Sequence, residues 1–144
     1  MQEFKSKFYK LEAERLVPSP SAKGMKLSDH DAVMQELSRY VEDKIAFDFQ
    51  MEKLAIPPNA TEGDQPSADV LVSRDWTEKE KLLIFVQNQS GGYIGIWSRS
   101  LCFEEGLARG TMIPYISKAL KNDYGVMILR PNTNSIINSK TGKK

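Results

Sequence analysis

The feature that most constrains the fold is a pair of short apolar runs separated by a segment of helical pattern. Residues 81–86 read KLLIFV and residues 125–130 read GVMILR. Between them, Ile113, Ile116 and Leu120 recur at helical spacing. Two β-branched-rich runs joined by a helix predict a strand, a crossover helix and a parallel strand. We expect the first run to be a central strand, since a continuous apolar run indicates burial on both faces.

The segment before residue 28 is predicted to be a short helix followed by a linker. Residues 2–17 place Phe4, Phe8 and Leu11 on one helical face. Residues 18–24 then contain two prolines and a glycine, which end a helix.

The strongest helical pattern of the chain follows this linker. Ser28 is a candidate N-cap with Asp31 three residues later, and apolar residues then recur at helical spacing. We expect the helix to last to Phe49 or Lys53 and to be closed at residues 56–59.

The predicted fold is α/β with a parallel or mixed sheet. Residues 68–73 read as a further short strand, and Thr111 is a candidate cap for a helix reaching Asn122. The chain has 144 residues, of which 40% are hydrophobic, enough for one domain with a core. The predicted core residues are Leu83, Phe85, Ile116, Leu120, Val126 and Ile128.

Composition excludes several classes of protein. The formal net charge is +1, so the whole chain lacks the charge typical of direct nucleic-acid binders, and such binding is not expected. No apolar stretch approaches the roughly 20 residues that a transmembrane helix needs. One cysteine and no apolar leader predict a protein of a reducing, intracellular compartment. One cysteine and one histidine cannot supply a closed zinc site within a single chain, and no metal or cofactor is expected.

Several blocks of the sequence, in order, resemble a known family. They are residues 81–86, residues 95–101 (GIWSRSL), residues 110–116 (GTMIPYI) and residues 123–132 (DYGVMILRPN). The upstream helix and residues 56–62 match in spacing. The chain thereby resembles the cotranscriptional-regulator family whose domain is named after an Argonaute-binding protein of small-RNA silencing complexes. The resemblance covers residues 28–138, leaving 1–27 unmatched and 139–144 as a polar tail.

The resemblance implies a three-layer α/β-hydrolase-like fold. The loop after Val86 would then correspond to the oxyanion loop, where relatives carry a His-Gly-Ser-Gly-type sequence. This chain instead has Gln87, Asn88, Gln89, Ser90, Gly91 and Gly92. An oxyanion hole needs backbone N–H groups close to the developing charge, which asparagine and glutamine hinder. A second departure is Arg130, where relatives tend to place an asparagine.

The nucleophile elbow of this fold, Gly-x-Ser-x-Gly, does not occur in the sequence. The chain resembles the front part of the domain, truncated before that elbow, and is expected to be a fragment, a short isoform or a diverged relative. By resemblance we expect a pseudoenzyme of the nucleus, with the cytoplasm as second location. It would bind Argonaute-type, chromatin or splicing proteins and support siRNA-guided heterochromatin or alternative splicing.

Individual candidates are weighed against plainer roles. His30 lies at the predicted start of a helix and is expected to be solvated rather than a general base. Cys102 has apolar neighbours, which favour a buried structural thiol. Ser90 with the glycine pair is expected to form a turn, and an anion-binding nest is the alternative. Trp97 and Arg99 are partner-binding candidates; the alternative is that Trp97 packs a helix onto the sheet and Arg99 pairs with Glu104 or Glu105.

Two other functions stay open. One is a serine esterase-like α/β-hydrolase whose catalytic second half is absent from this chain. The other is RNA binding through a local basic patch such as the tail lysines Lys140, Lys143 and Lys144, which are more simply explained as solubilising residues.

Overall fold

The computed structural model describes residues 3–57, 68–87 and 93–131, which form a mixed α/β fold. The strands are β1 (Tyr9–Glu12), β2 (Arg15–Pro18), β3 (Met51–Ile56), β4 (Ala68–Ser73), β5 (Lys81–Val86) and β6 (Tyr124–Leu129). The α-helices are α1 (Leu27–Asp48), α2 (Arg99–Glu104), α3 (Leu107–Gly110) and α4 (Ile113–Lys121), and a 3-10 helix spans Pro20–Gly24. No helix in these ranges is long and apolar enough to cross a membrane.

The main sheet is mixed and has the strand order β3-β4-β6-β5. Strand β4 runs antiparallel to both β3 and β6, whereas β5 and β6 are parallel. In the parallel pair, Leu83 lies beside Val126 and Phe85 beside Ile128. The predicted strand–helix–parallel strand unit is therefore confirmed, with α4 as the last helix of the crossover.

The prediction that β5 is a central strand buried on both faces is wrong. Among the described strands β5 lies at the edge of the sheet, because β6 inserts between it and β4. Its alternate side chains Leu82, Ile84 and Val86 are 38%, 47% and 57% exposed. One face of β5 is thus apolar and open, whereas Phe85 on the opposite face is buried.

Strand β3 was not predicted from the sequence. Helix α1 ends at Asp48 rather than continuing to Lys53, and Gln50 then adopts a positive φ of 51° that turns the chain. The next six residues pair antiparallel with β4 along their whole length, from Met51 opposite Ser73 to Ile56 opposite Ala68. Pairing with an open strand edge outweighs the weak helical pattern of this segment. Residues 56–57 therefore end a strand and not the helix.

The predicted N-terminal helix is also wrong, because residues 9–18 form the hairpin β1–β2. Ala13 and Glu14 have positive φ values of 47° and 62°, which give the chain its two-residue turn. The hairpin is part of the packed domain, since the Leu107 N–H donates to the Glu14 carbonyl at 2.8 Å. Part of the predicted linker forms the 3-10 helix. Its N-cap residue Ser19 donates its backbone N–H to the Phe8 carbonyl at 2.8 Å.

The helices of the described part cover one face of the main sheet. Each α-helix contributes to a core cluster whose sheet residues share that face: Met51, Leu71, Phe85, Val126 and Ile128. Of the predicted core residues, Phe85, Ile116, Val126 and Ile128 are buried, and Leu83 and Leu120 are half-buried at its margin. The described residues therefore show two layers, and the third layer of the expected fold is not among them.

The start of α1 differs in detail from the prediction. The N-cap is Lys26, two residues before Ser28, and the Asp29 carboxylate accepts a hydrogen bond from the Lys26 N–H at 2.8 Å. At α4 the N-cap is Met112, and the Thr111 hydroxyl accepts a hydrogen bond from the Ile113 N–H at 3.3 Å.

Candidate functional site

Gln87 begins the loop that follows β5, at the end of the sheet where α/β proteins place their ligands. Its side chain is only 4% exposed. The Gln87 Nε2 donates to the Ile96 carbonyl at 2.8 Å, and its Oε1 accepts from the Gly95 N–H at 3.3 Å. The amide thus ties residues 95–96 to the end of β5, and it points into the protein rather than to a bound substrate.

Asn88, Gln89, Ser90, Gly91 and Gly92 lie outside the described residues. Of the six positions predicted to correspond to an oxyanion loop, the structure describes Gln87 alone. The predicted turn, or anion nest, around Ser90 stays a prediction.

The segment that leaves this loop is fixed against α1. Gly95 has a φ of +77°, and a Cβ placed there would lie 2.4 Å from the Ile45 Cδ1. The Met112 N–H donates to the Gly95 carbonyl at 2.7 Å, and Ile96 forms a β-bridge with Thr111. Only glycine combines this backbone conformation with such close approach. The position of Trp97 is therefore set by backbone contacts.

Trp97 lies between β5 and α4. Its ring centroid is 6.0 Å from that of Phe85 and 6.4 Å from that of Tyr115, the second pair being edge-to-face. The Trp97 N–H donates to the Gly110 carbonyl at 2.8 Å. These ring contacts show the predicted packing of Trp97 between the helix and the sheet. The residue is also 37% exposed, so part of it faces solvent. Its predicted role as a partner anchor stays a prediction.

Arg99, the first residue of α2, places its guanidinium over the ring of Tyr93, 5.1 Å from the centroid. The ion pair predicted between Arg99 and Glu104 or Glu105 is not formed; Glu105 pairs with Arg109 at 3.4 Å instead. Arg99 lies five and six residues before these glutamates, whereas helical side chains meet at spacings of three and four. Arg99 is thus exposed beside Trp97, with an aromatic partner.

Cys102 and His30, the two reactive side chains weighed from the sequence, lie on different helices, α2 and α1. Cys102 is fully buried, and burial raises the pKa of its thiol to about 11, so it is the structural thiol predicted from its neighbours. His30 is exposed in the first turn of α1, as predicted. Within residues 3–57, 68–87 and 93–131 no cluster of His, Cys, Asp or Glu side chains could hold a metal ion.

A groove beside β5 was missed from the sequence. It has a volume of about 370 Å³ and is lined by Leu83, Tyr115, Lys118, Ala119, Asn122 and Tyr124. Tyr115, next to the exposed part of Trp97, is 56% exposed. The signal was present: Tyr115 and Lys118 flank the buried Ile116 and Ala119 on α4, but their orientation toward a sheet edge depends on the strand order.

A larger cavity, about 850 Å³, lies elsewhere, beside the N-terminal hairpin. Phe4, Tyr9, Leu11 and Tyr40 line it together with lysines and glutamates of residues 3–12. None of the residues predicted as a site lines it, so we place the candidate site at β5 and not there.

One family model and several known proteins match this chain. The family model of the Arb2 domain matches residues 27–143. Cotranscriptional regulator ARB2A of Mus musculus is 34% identical over 108 residues, 74% of this chain and 26% of its own length. The ARB2A homolog of Gallus gallus is 34% identical over 113 residues, 78% of this chain and 27% of its own.

The similarity extends beyond vertebrates. The ARB2A homolog of Dictyostelium discoideum is 33% identical over 73 residues, 50% of this chain and 19% of its own length. The chain thus spans about a quarter of the length of the vertebrate relatives it matches. No solved structure matches the chain.

Proposed function

Because the chain belongs to the Arb2 domain family, we propose that it is a regulatory protein that acts by binding other proteins and not by catalysis. Family membership was predicted from the sequence blocks around residues 81–132, and the match to residues 27–143 confirms it. The relatives from mouse and chicken are named as cotranscriptional regulators. We propose the same kind of role for this chain.

The observation that best supports a non-catalytic role is the position of Gln87. A loop that stabilises an oxyanion must aim N–H donors at a reacting atom outside the protein's own hydrogen-bond network. The Gln87 side chain instead satisfies the Ile96 carbonyl and the Gly95 N–H. Of the two candidate catalytic side chains weighed from the sequence, His30 is exposed on α1 and Cys102 is buried on α2.

We place this regulatory role in the nucleus, with the cytoplasm as a second location. The partners proposed are Argonaute-type proteins and chromatin or splicing proteins, in siRNA-guided heterochromatin or alternative splicing. The family resemblance supplies this detail. Trp97 and Arg99 are the proposed contact residues, because Trp and Arg dominate the energetics of protein interfaces.

Affinity capture from nuclear extract tests the role. The tagged chain is incubated with and without nuclease, and the bound fraction is probed for Argonaute and splicing proteins. We expect recovery that survives nuclease and falls with Arg99→Ala. Arg109→Ala is the matched control, since Arg109 is an exposed arginine on α3. Recovery of neither class of partner, or equal recovery with both variants, contradicts the proposal.

We also propose that the sheet is the front part of an α/β-hydrolase-like domain. Its support is the parallel β5–β6 unit in a sheet that also holds the antiparallel strand β4. An experimental structure of the full-length mouse relative tests this. We expect the order β3-β4-β6-β5 within a longer sheet that continues beyond β5. A sheet that ends at β5 contradicts it.

The second candidate is a serine esterase whose catalytic half comes from another chain. The position of β5 at the edge of the described strands favours it, since a sheet can be extended only at an unpaired edge. A fluorophosphonate probe, followed by mass spectrometry, separates the two candidates. The probe is applied to complexes of the chain captured from extract. Covalent labelling of a serine that depends on the presence of this chain supports the esterase and contradicts the regulatory proposal.

A further inference from the structure

The cavity beside the N-terminal hairpin, which we call the hairpin cavity, is lined by residues 3–7, residues 9–12 and Tyr40 of α1. Its volume of about 850 Å³ lies within the range of roughly 300–1,000 Å³ that is usual for ligand sites. Within the described part, its lining residues all precede α1 apart from Tyr40, and none belongs to the main sheet. The strand order around β5 therefore does not decide whether this cavity exists.

The inner wall of the hairpin cavity is apolar and continuous with the core. Phe4, Tyr9, Leu11 and Tyr40 line it, and each is a partly buried residue that packs against the core. The Phe4 and Tyr40 rings meet edge to face, with their centroids 6.1 Å apart. A wall with three aromatic rings favours an aromatic guest, because ring pairs add stabilisation beyond the area that they bury.

Hydrogen bonds hold the chain between Ser6 and Tyr9 in place. The Ser6 hydroxyl accepts the Phe8 N–H at 3.1 Å and the Tyr9 N–H at 3.3 Å. The Ser19 hydroxyl donates to the Lys7 carbonyl at 2.8 Å, which joins this segment to the start of the 3-10 helix. This part of the cavity wall is therefore preformed, so a ligand does not have to order it on binding.

The rim of the hairpin cavity carries lysines that are free for a ligand. Lys5, Lys7 and Lys10 line the cavity. Among residues 3–57, 68–87 and 93–131, no carboxylate forms an ion pair with any of these three lysines. The Lys7 ammonium lies over the Phe8 ring, 5.5 Å from its centroid, whereas Lys5 and Lys10 are exposed. A carboxylate brought to this rim would meet ammonium groups that no other carboxylate neutralises.

The charge around the cavity is unevenly distributed. Glu3 and Glu12 also line the cavity, so its rim is not purely basic. Residues 3–26 as a whole contain six lysines and arginines against three glutamates. Helix α1, which follows them, contains six aspartates and glutamates against two basic residues. An anionic ligand is therefore attracted to the hairpin side of the cavity and repelled by the helix side.

We propose that the hairpin cavity binds an acidic segment of a partner protein that carries one aromatic residue among its carboxylates. The aromatic side chain packs against Phe4 and Tyr40, and the carboxylates lie over Lys5 and Lys10. This binding does not depend on the proposed nuclear role or on the contacts proposed beside β5.

A single-stranded nucleic acid fits the cavity less well than an acidic peptide. A nucleic acid brings a phosphate with every nucleotide, and the rim also holds Glu3 and Glu12. Base stacking also needs open ring faces, whereas the rings of Phe4 and Tyr40 already contact each other. A peptide can place its carboxylates over the lysines and neutral residues beside the two glutamates.

Selection from a displayed library of random short peptides tests the ligand chemistry. The intact chain is immobilised through its C-terminus, and the enriched sequences are compared with those enriched on the Lys10→Glu variant. We expect the wild type to enrich peptides with several carboxylates around an aromatic residue, and the variant to lose them. Enrichment of neutral or basic peptides only, or no enrichment at all, overturns the proposal.

Charge variants test the rim of the cavity. An enriched acidic peptide is labelled with fluorescein, and its affinity is measured by fluorescence anisotropy at several salt concentrations. Lys10→Glu should weaken binding about tenfold, and added salt should weaken binding to the wild type. Lys23→Glu is the matched control, because Lys23 is an exposed lysine of the same basic segment outside the cavity; it should change the affinity less than about twofold. Equal effects of the two variants contradict binding at this rim.

Aromatic variants test the inner wall. Phe4→Ala should weaken binding about fivefold by removing one ring of the wall. Phe47→Ala is the control and should bind as the wild type, because Phe47 is 66% exposed on α1 and does not line the cavity. Replacing the aromatic residue of the peptide by alanine should weaken binding to the wild-type chain about tenfold. That last measurement stands even where a protein variant fails to fold, and an unchanged affinity overturns the proposal.

The remaining measurements locate the ligand and identify other occupants. Hydrogen exchange of the wild-type chain should slow at the amides of residues 3–12 when the peptide is bound, and protection confined to other elements overturns the proposal. Binding of an oligouridylate that Lys10→Glu weakens, without enrichment of acidic peptides, would assign the cavity to nucleic acid instead. A dimer in sedimentation equilibrium that Phe4→Ala dissociates, again without acidic peptides, would assign it to a second copy. Failure of Argonaute capture leaves these measurements unaffected.

Discussion

The side-chain amide of Gln87 is hydrogen-bonded to the backbone carbonyl of Ile96, Nε2 to O, at 2.8 Å. This hydrogen bond connects the end of β5 to the β-bridge between Ile96 and Thr111. Since Gln87 is buried, this contact is made away from solvent, where an unpaired polar group is costly. Gln87, the first residue of the expected oxyanion loop, therefore has a structural role: it holds residues 95–96 against the end of β5.

Replacing Gln87 by leucine should destabilise the protein by about 1–3 kcal/mol, because the Ile96 carbonyl and the Gly95 N–H lose their partners. Urea denaturation followed by circular dichroism measures the change. The control is Gln35→Leu, at an exposed position of α1, where the effect should stay within about 0.5 kcal/mol. Equal effects at the two positions would show that the Gln87 amide is not a significant tie.

Gly95→Ala should be among the most damaging small changes in the chain. The added Cβ would lie 2.4 Å from the Ile45 Cδ1 and 2.9 Å from the Val41 Cγ1, at a φ that alanine disfavours. Overpacking and backbone strain together predict a loss of roughly 2–4 kcal/mol. Gly24→Ala is the matched comparison, because nothing lies within 4 Å of its added Cβ. Thermal unfolding of both variants measures the contrast, and a harmless Gly95→Ala would refute the packing described.

Glu42 on α1 forms ion pairs with one residue of β3 and with the residue that follows β6. Its carboxylate is bound to Arg130, just beyond β6, and lies 3.1 Å from the Lys53 ammonium of β3. Both Glu42 and Arg130 are about four-fifths buried, so Glu42→Gln should cost about 1–3 kcal/mol. Glu36→Gln, which breaks an exposed pair with Arg39, should cost less than about 0.5 kcal/mol. Urea denaturation compares them, and the Glu42 contribution should change little with added salt.

Because the Cys102 thiol is buried, we expect the free energy of unfolding to decrease at high pH. Burial raises the pKa of its thiol to about 11, whereas an unfolded cysteine titrates near 8.5. The folded form therefore holds its proton in a pH range where the unfolded form has lost it. The stability from the neutral thiol is complete below about pH 8.5 and falls as pH rises toward 11.

The measurement is the free energy of unfolding at about pH 8 and about pH 10.5 for the wild type and for Cys102→Ala. Because lysines and tyrosines titrate in both proteins, the difference between them isolates the thiol. We expect the wild type to lose roughly 2–3 kcal/mol more than the variant over this range. Equal losses would mean that the thiol is not buried in the folded protein.

The elements with strong, long patterns could be predicted from the sequence. The apolar runs of β4, β5 and β6 and the apolar stripe of α1 each indicated one type of secondary structure. The parallel pairing of β5 with β6 followed from the crossover helix between these two strands. Hydrophobic periodicity decides such segments because burial of the whole face outweighs local propensity.

Strands β1, β2 and β3 could not be predicted, because each depends on a partner. Phe4, Phe8 and Leu11 have helical spacing, yet Ala13 and Glu14 turn the chain and Leu16 is buried in the core. The exposed edge of β5 depends on β6 entering the sheet before it, which no local pattern encodes. The groove beside β5 went unnoticed for the same reason. Gln87 and Trp97 were identified by position, but the internal role of Gln87 needed coordinates.

The place of β6 inside the sheet has a consequence for biosynthesis. As the chain leaves the ribosome, β3 and β4 can form their hairpin, but β5 has no neighbour until residues 124–129 have emerged. For about 40 residues of translation, the newly made apolar strand waits unpaired, a state in which nascent chains attract chaperones. The strand that is synthesised last among the described strands is therefore the one that joins β5 to β4.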